Sequence, residues 1–466
     1  MSYTLLKREN SDSCVELAEQ YVLGRVPCML TRCSRKGIYV LLCVLLYGIT
    51  FLVLAPLACI SFKHVGLDVI CFRNKAAGNA RLIAQNQARL NRSLVTLREY
   101  SRIDSYCRMF PATCRRKNAQ IADGEEKTAE RDLQNVSIGM QLIRKTFAGG
   151  LAISFVTTRR RSNITGYRGQ YLSQSVAKML NIINHGDRLT NDVPIYFSIC
   201  NVDPRLEVNP EISNLPKWIP VHKRFDGRRK LSIEDARSSY EKAKNDYVFC
   251  LEHTLQTNAS YILLMEDDAL AMDNLFHVLS HFIFSLRKLS SDETHVPLLD
   301  KLTYLKLFYP VHLSGYFNVD PERVPELISV ALVLTALTLC AVTFCQPSLR
   351  VSPTFVKIAF VFFLLVVVII GRYNIIELRS VSDRLFYLTP APRGSAVAVL
   401  YPRQGALDIA RYLPLYRCDK RLPKDLAMGE IVIKHGLDAR LVQPNLFEHI
   451  GHYSSVHQKL RNPFAT

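Results

Sequence analysis

Three long apolar runs stand out from a chain whose other segments mix apolar and polar residues. Gly37 to Phe62 gives 26 uncharged residues and Leu327 to Leu349 gives 23, and each is long enough to cross a bilayer as a helix. Ile358 to Gly371 gives 14, a length shared by membrane and core segments. The pattern predicts an N-terminal membrane span and a second hydrophobic region deep in the chain.

The two later runs are close enough to form a helical hairpin. The turn-forming residues Gln346-Pro347-Ser348 separate them, and the third run becomes long enough to span when it is counted from Val351 with Lys357 reaching to the interface. If both runs cross, the chain on either side of the hairpin shares one compartment. Two buried core elements are the alternative.

Outside these runs, short β-type segments alternate with segments of helical periodicity. The β-type segments are Leu151 to Thr157, Pro194 to Cys200, Trp218 to His222 and Tyr261 to Met265. Helical spacing covers Tyr171 to Asn184, and a weak capping box at Ser232 and Asp235 opens a helical segment that reaches about Thr257. This alternation predicts an α/β sheet, in which ligands bind at the carboxyl ends of strands.

Length and charge add a membrane part, a globular part and anionic partners. The chain has 466 residues and a formal net charge of +18, from 59 basic and 41 acidic residues. Membrane lipid, a nucleotide diphosphate and nucleic acid would all suit that charge. No zinc-finger spacing or RNA-binding aromatic signature is present in the sequence, so we expect no nucleic-acid partner.

Glycosylation sequons and cysteines favour a lumenal location for the chain beyond the first run. All four Asn-X-Ser/Thr sequons lie there, at Asn91, Asn135, Asn163 and Asn258. An even number of cysteines, suited to an oxidising compartment, also lies in the proposed lumenal part: Cys71, Cys107, Cys114, Cys200, Cys250 and Cys418. Six cysteines allow fifteen pairings, so the sequence pattern leaves the connectivity open.

These observations predict six consecutive regions. Residues 1–36 form a cytoplasmic tail, 37–62 a signal-anchor helix and 63–147 a polar, aromatic-poor lumenal stem. Residues 148–326 form the first part of the globular domain, 327–371 the transmembrane hairpin and 372–466 the second part of the domain.

The chemistry concentrates in three consecutive acids, Glu266, Asp267 and Asp268, directly after an apolar β-type segment. In an extended chain Glu266 and Asp268 point to the same side, so one can bind a metal ion while another holds the sugar or base of a nucleotide. A hard divalent ion, Mn²⁺ or Mg²⁺, would bridge such a carboxylate to a diphosphate. A solvated acidic turn is the alternative.

The sequence around these acids resembles the Golgi GPI-anchor GalNAc transferase family. The resemblance is found in Leu54 to Cys59 (LAPLAC), Glu241 to Thr257 (EKAKNDYVFCLEHTLQT), Tyr261 to Ala269 (YILLMEDDA), Tyr304 to Pro310 (YLKLFYP), Gly371-Arg372 and Pro444 to Ser455 (PNLFEHIGHYSS). It covers most of the chain from Gly37 onward, including the hairpin. The N-terminal tail and stem are longer than this family leads us to expect, and Cys107 and Cys114 have no obvious counterpart.

The resemblance implies a GT-A-like glycosyltransferase domain, of the α/β class, split by an inserted transmembrane helical hairpin and preceded by a signal anchor. It further implies a multi-pass Golgi membrane enzyme with a lumenal catalytic domain. Such an enzyme transfers GalNAc, with inversion, from UDP-GalNAc to the first mannose of protein-attached GPI anchors. The acceptors are then GPI-anchored proteins, and the metal is Mn²⁺, with Mg²⁺ as the alternative.

The resemblance also assigns residues. Asp425 (in LPKDLAMG) is the expected catalytic base, with Glu430 in reserve, and a helix N-cap is the alternative role for Asp425. Asp268 and Glu266 are expected to bind metal. The expected donor contacts are Thr158, Arg160, Glu266, Asp267, Arg393, Gly394 and Ser395. For Arg160 the alternative is a solvated basic run, and for the last three residues it is an ordinary turn.

Two cysteines and one histidine lie in matching segments. The resemblance implies a disulfide between Cys200 and Cys250, with two buried free thiols as the alternative. His449 falls within the matching C-terminal motif, where a structural role is the alternative to ligation. Two rival functions remain open: a GlcNAc transferase of N-glycan branching, whose group the segment Leu446 to Ser455 also resembles, and a non-catalytic membrane receptor of GPI proteins.

Overall fold

The chain divides into two compact units, each built from two separate stretches of sequence. One comprises Met1–Cys71 with Val319–Gly371, and the other Phe72–Asn318 with Arg372–Thr466. The structure, a computed structural model, describes residues 47–48, 75–102, 104–122, 146–160, 169–186, 191–205, 209–225, 232–285, 302–316, 323–345, 351–451, 453–454 and 459–460. The predicted cytoplasmic tail, the sequons at Asn135 and Asn163, and most of the predicted signal anchor lie outside these ranges.

The described helices and strands are as follows. The helices are α1 (Lys75–Tyr100), α2 (Asp104–Met109), α3 (Pro111–Ala122), α4 (Tyr171–His185), α5 (Pro210–Ser213), α6 (Ile233–Arg237), α7 (Ser239–Leu255), α8 (Leu275–Ser280), α9 (Arg323–Cys345), α10 (Pro353–Ile370), α11 (Arg372–Glu377), α12 (Arg403–Tyr412) and α13 (Lys424–Lys434). The strands are β1 (Leu151–Thr157), β2 (Ile195–Asn201), β3 (Val221–Lys223), β4 (Tyr261–Glu266), β5 (Ala269–Ala271), β6 (Tyr304–Lys306), β7 (Tyr387–Pro390), β8 (Ala398–Pro402), β9 (Ala439–Gln443), β10 (Phe447–His449), β11 (Tyr453–Ser454) and β12 (Lys459–Leu460). Short 3₁₀ turns cover Val311–Ser314, Leu378–Val381, Asp383–Leu385 and Leu413–Leu415, and a π-helical turn covers His281–Ser285.

Within the described ranges, eight strands form one mixed sheet in the order β3-β2-β1-β4-β8-β6-β9-β7. Strands β1 to β4 are parallel, β8 runs antiparallel to β4 and β6, and β9 is parallel to β6. The antiparallel strand β7 closes the far edge. The sheet is therefore mostly parallel, as the sequence predicts, and the carboxyl ends of β1 and β4 lie side by side.

Side-chain alternation along the strands builds a core on each face of the sheet. On β1, Ile153 and Phe155 join the larger core cluster with residues of α4, whereas Ala152 joins a second cluster with residues of α7. Strand β4 divides in the same way, with Leu263 on the first side and Ile262 on the second. Near-continuous burial along both strands is typical of a parallel sheet covered by helices on its two faces.

Residues 75–122, which the sequence assigns to a separate stem, pack against the core of the globular unit. Helix α1 packs along α4, and Leu97, Met109 and Phe110 of the N-terminal helices are buried in the larger core cluster. Trp218 Nε1 donates a 2.9 Å hydrogen bond to the carbonyl oxygen of Tyr100. The reason is that a few large apolar side chains, spaced along a polar sequence, provide one face that packs on the core. Residues 75–122 are thus part of the globular unit.

The other unit contains the two helices of the predicted hairpin. Helices α9 and α10 pack against each other, and both are long and apolar enough to cross a membrane. Ser352 caps α10 by accepting a 3.2 Å hydrogen bond from the backbone N–H of Phe355. In the same unit, the Tyr47 ring lies 5.9 Å from that of Phe362, so at least one residue of the first apolar run contacts the second helix of the pair.

Two disulfides lie in the globular unit. Cys200 of β2 is bonded to Cys250 of α7, the pair implied by the resemblance, and Cys107 is bonded to Cys114. Among the described residues Cys340, Cys345 and Cys418 are free, and Cys418 is buried. The first disulfide ties the sheet to a helix on its face, whereas the second closes a short loop between α2 and α3.

Removing the two disulfides separately is expected to give unequal losses of stability. The Cys200–Cys250 bond spans 50 positions and the Cys107–Cys114 bond spans 7. Because loop-closure entropy grows with loop length, the double variant Cys200→Ala/Cys250→Ala should lose about 2 kcal/mol more than Cys107→Ala/Cys114→Ala. Thermal unfolding in the same detergent measures both. Equal losses would contradict the entropic argument.

Candidate active site

The acidic sequence Glu266-Asp267-Asp268 begins at the last residue of β4 and continues past the carboxyl end of the strand. Its backbone is fixed on both sides, because the Glu266 N–H donates to the Val397 carbonyl at 2.8 Å and the Asp267 N–H donates to the Val156 carbonyl at 3.1 Å. The Asp267 and Asp268 side chains are almost fully buried. The two aspartates are therefore not part of a solvated turn, which was the alternative for this motif, whereas the Glu266 side chain is 30% exposed.

Arg160, just after β1, binds both buried aspartates. Its Nη1 donates to Asp268 Oδ2 at 2.6 Å, and its Nη2 forms a short ion pair with Asp267 Oδ1. Thr157 Oγ1 donates to the second oxygen of Asp267 at 2.8 Å, and the Tyr171 ring lies 5.1 Å from the guanidinium carbon. Arg160 is thus part of the site and not of a solvated basic run.

Burial and charge act differently on the two aspartates. Burial raises the pKa of Asp267, and the charge of neighbouring Asp268 adds to that increase despite the pairing with Arg160. Burial would also raise the pKa of Asp268, but the charges of Arg160 and His449 outweigh it and hold that pKa below its usual value. Asp268 is therefore the more firmly ionised of the pair.

His449 completes the cluster from the other end of the chain. Strand β10 pairs antiparallel with β5 and sets His449 opposite Ala269, which places His449 Nε2 3.1 Å from Asp268 Oδ2. Burial lowers the pKa of His449, but the charge of Asp268 outweighs that effect, and the net shift is upward. The Ile450 N–H also donates to the Asp268 carbonyl at 2.9 Å.

Glu266, Asp268 and His449 are suitably placed to bind a divalent cation. One potential ligand atom from each lies within 4.8 Å of the others. Asp268 Oδ1 is buried and accepts no hydrogen bond from the described residues, so a lone pair is available there. Two carboxylates and an imidazole suit Mn²⁺, and the carboxylates also suit Mg²⁺. The residues present therefore fit the metal expected from the sequence.

Lys424 connects the acids to the expected base. Its Nζ lies 2.6 Å from Glu266 Oε1 and 3.5 Å from Asp425 Oδ1, and 4.8 Å from the centre of the Tyr247 ring. Burial lowers the pKa of Lys424, but Glu266 and Asp425 outweigh it, so the net shift is upward. Counting Asp267 and Asp268, four carboxylates lie beside three basic side chains, Lys424, Arg160 and His449. The excess negative charge favours a further cation.

Asp425 lies in the first turn of α13, but it is not the helix N-cap. Pro423 occupies the N-cap position, and no side-chain capping bond is formed there within the described residues. Asp425 Oδ1 is buried and accepts no hydrogen bond from those residues. Glu430 lies farther along the helix, is 40% exposed and pairs with Arg393 at 2.8 Å. Of the two expected bases, Asp425 is the one next to the acidic cluster.

The segment Arg393-Gly394-Ser395 forms a turn whose backbone is hydrogen-bonded to a buried lysine. Gly394 and Ser395 both have left-handed backbone conformations, with φ of 80° and 59°. Lys306, on β6, is almost fully buried, and its Nζ donates to the carbonyl oxygens of Pro392, at 2.7 Å, and Gly394. Burial lowers the pKa of Lys306 to about 8. A left-handed turn fixed by a buried ammonium group is more than an ordinary surface turn.

Thr158 and the two described sequons have no contact with the acidic cluster among those described here. Thr158 is half-buried, and the hydrogen bond to Asp267 comes from Thr157 instead. The sequons at Asn91, on α1, and Asn258, in the turn before β4, are both exposed. Exposure is compatible with a glycan at either position and does not establish one.

Sequence reasoning missed Thr157, Lys306, Lys424 and Gly451. Gly451, Lys306 and Lys424 all lie in segments quoted above, Gly451 two residues after His449 and Lys424 directly before Asp425. A side chain at position 451 would place its Cβ 2.1 Å from Asp268 Oδ2, so the chain must approach the acid without a side chain. The roles of the two lysines could not be read from those segments, because each lysine binds a residue distant in sequence.

Gly451→Ala is expected to lower activity by about a hundred-fold, because the added methyl group displaces Asp268 from Arg160 and His449. Gly315→Ala is the matched control, since a Cβ at Gly315 meets no atom of the described residues within 4 Å. Turnover and thermal unfolding of both variants test this. Normal turnover of Gly451→Ala would show that Asp268 need not stay where the structure has it.

A comparison with protein families identifies the relatives of this chain. The model of the family described as GPI-N-acetylgalactosamine transferase PGAP4 matches residues 151–448, which is more than half of the 466 residues. The match begins at the first residue of β1 and ends within β10, one residue before His449, so it includes the eight-stranded sheet, Glu266 to Asp268, Asp425 and both apolar helices. It confirms the resemblance found in the sequence: this chain belongs to the GPI-N-acetylgalactosamine transferase PGAP4 family.

Proposed function

We propose that this protein transfers GalNAc from UDP-GalNAc to the first mannose of the glycan of protein-attached GPI anchors, with metal assistance and inversion at the anomeric carbon. The observation that carries the proposal is the Glu266, Asp268 and His449 cluster at the carboxyl end of β4, in a chain of this family. In sheets of this kind ligands bind at that edge. The mixed sheet and its helices on both faces support a GT-A-like assignment of the domain.

In this proposal Asp268, Glu266 and His449 hold the divalent ion. A Mn²⁺ or Mg²⁺ ion bound there would neutralise charge that develops on the departing diphosphate. Arg160 and Thr157 fix Asp267, each by binding one of its carboxylate oxygens. In this position Asp267 orients the sugar or ribose of the donor. The Arg393-Gly394-Ser395 turn faces the donor sugar closely because its backbone carries little side-chain bulk at Gly394.

An inverting transfer is a single in-line displacement, in which the acceptor hydroxyl loses its proton as its oxygen attacks the sugar. Asp425 is the proposed base, because its buried Oδ1 accepts no hydrogen bond from the described residues and can accept one from a hydroxyl group. Lys424 bridges Asp425 and Glu266, and thereby holds the base at a fixed position relative to the metal ligands. The proton passes from the acceptor oxygen to Asp425.

The proposed location is the Golgi membrane, with the catalytic unit in the lumen and GPI-anchored proteins as acceptors. Two helices of spanning length, the disulfide between Cys200 and Cys250, and exposed sequons at Asn91 and Asn258 support it. Glycan mapping tests the topology independently of the chemistry. A glycan on Asn258, three residues before β4, would place the acidic cluster in the lumen, whereas a cytoplasmic location of that segment would overturn it.

The activity is tested with purified full-length protein, a panel of UDP-sugars and a GPI glycan as acceptor, with and without Mn²⁺. Selective consumption of UDP-GalNAc, loss of turnover with EDTA and recovery with Mn²⁺ are expected. Use of UDP-GlcNAc with N-glycan acceptors would favour a branching GlcNAc transferase. Consumption of no donor under any condition would favour a non-catalytic GPI-protein receptor.

A further inference from the structure

Helix α4 begins next to the acidic cluster. Its N-terminus is bound by side chains other than that of its N-cap residue. Its N-cap residue, Gln170, is in the left-handed conformation with φ of 40° and makes no side-chain capping bond among the described residues. The Ser173 N–H is instead accepted by Glu211 at 3.2 Å, and the carbonyl oxygens of Gly169 and Gln170 accept from Gln174 at 2.8 and 3.4 Å. A helix start built in this way depends on its external partners.

Gln174 is itself held by helix α1. Its Oε1 accepts a 2.6 Å hydrogen bond from Arg89 Nε, and its Nε2 donates to Asn86 Oδ1 at 2.9 Å. Gln174 and Asn86 are buried almost completely, so these bonds are shielded from water. A buried amide that uses both its donor and its acceptor groups has one preferred orientation.

Gln174 binds the turn at Gly169-Gln170, and the next residue, Tyr171, places its ring beneath Arg160. Tyr171, the first residue of α4, is 2% exposed, and its ring lies 5.1 Å from the Arg160 guanidinium carbon. Gly169 permits this placement, because a Cβ at that position would lie 3.0 Å from the ring. Arg160 in turn binds Asp267 and Asp268. A continuous set of contacts therefore leads from α1 to the acidic cluster.

We propose that Gln174 is a positioning residue for the candidate active site and that Asn86 and Arg89 of helix α1 act through it, by fixing the turn at Gly169-Gln170 and thus Tyr171 beneath Arg160. Helix α1 then contributes to substrate binding as well as to the fold, although no atom of α1 touches the acids in the contacts described above. The kinetic consequence rests on the proposed function, since it assumes that Asp267, which Arg160 fixes, orients the donor. The structural consequence does not.

The test compares Arg89→Met with Arg92→Met in the full-length protein. Arg92 is exposed and lies one turn farther along α1, so it is a matched control on the same helix. Hydrogen–deuterium exchange is expected to become faster at residues 169–173 in Arg89→Met and to stay unchanged in Arg92→Met, with thermal unfolding of both close to that of the wild type. Unchanged exchange in that turn would overturn the proposal, whatever reaction the protein catalyses.

Kinetics then separate positioning from a merely structural role. Arg89→Met is expected to raise the KM for the sugar donor by about ten-fold while kcat changes less than about two-fold, because only the placement of a binding side chain is affected. Arg89→Lys, which keeps a cationic donor, should recover part of the loss. A fall in kcat with an unchanged donor KM would overturn the positioning role.

A double-mutant cycle tests whether the effect passes through Arg160. In an Arg160→Ala background Arg89→Met should have little further effect on the donor KM, whereas independent contributions would add. Full additivity would overturn the proposed route from α1 to the acids. If the wild type consumes no sugar donor, the proposed function fails, and the exchange experiment still decides whether Arg89 constrains the turn at residues 169–173.

Discussion

Asp268→Asn is expected to reduce sugar transfer by at least about a thousand-fold and to weaken Mn²⁺ binding in the same protein. The change keeps the size of the side chain but removes the charge, and one metal-binding oxygen becomes an amide nitrogen. Arg160 retains Asp267 as an ionic partner, and the acidic cluster loses one of its mutually repelling charges. The fold should therefore survive, with a shift of a few degrees in thermal unfolding.

Asp273→Asn is the matched control for this variant. Asp273 lies five residues farther along, is 85% exposed and pairs with Lys178 at the surface. Its substitution should leave turnover and ion binding unchanged, since exposed ion pairs contribute little. Mn²⁺ binding is measured by electron paramagnetic resonance or calorimetry, and turnover by release of UDP. Wild-type turnover in Asp268→Asn would remove this residue from the mechanism.

The second large effect is expected for Asp425→Asn. Loss of the proposed base should lower kcat by about 10²- to 10⁴-fold, while the KM for the donor and the affinity for Mn²⁺ remain close to those of the wild type. Lys424 keeps Glu266 as a partner at 2.6 Å, so the metal ligands should stay in place. Single-turnover kinetics, with donor and metal both saturating, isolate the chemical step.

Glu430→Gln distinguishes the two carboxylates that the sequence offered as bases. Glu430 is 40% exposed and pairs with Arg393, away from Lys424, so its substitution should alter kcat by less than about three-fold. If Glu430→Gln loses most of its kcat and Asp425→Asn does not, Glu430 is the base and Asp425 is not. A loss in neither variant would mean that the proton is taken by another group.

Local patterns in the sequence predicted the first half of the sheet well. Leu151 to Thr157 is β1 exactly as expected, and Tyr261 to Met265 is β4 less its last residue. Such strands are compact apolar segments bounded by turns, and their identity is decided by neighbours in sequence. The helical segment from Ser232 was only partly correct: Asp235 does bond to Ser232, but Ser238 then begins a new helix.

The second half of the sheet was harder to predict from the sequence, because its strands pair with strands that are distant along the chain. Strand β8 inserts antiparallel between β4 and β6, although both apolar helices separate it from these two strands in sequence, and nothing near Ala398 specifies that order. The same holds for Lys424, which binds Glu266 across 158 positions. Helices α1 to α3 were taken for a stem because their few buried apolar residues are widely spaced in a polar sequence.

The acidic motif was the most predictable part of the site. Three adjacent acids after an apolar strand are unusual enough to be noticed, and the resemblance supplied candidate roles. The sequence named Arg160 as a donor contact and placed His449 in a matching motif, but it could not show that these two side chains and Thr157 hold the acids in place. These contacts come from the meeting of distant strand ends, which only the fold establishes.

The separation of β4 from β8 along the chain has a consequence for biosynthesis. When the ribosome has completed β4, the edge that will receive β8 has no partner, and it stays unpaired until the chain after both apolar helices has been made. An exposed edge strand is a template for aggregation. Nascent chains should therefore require protection by chaperones until residue 402 is synthesised, and premature termination within α9 or α10 should yield products that are degraded.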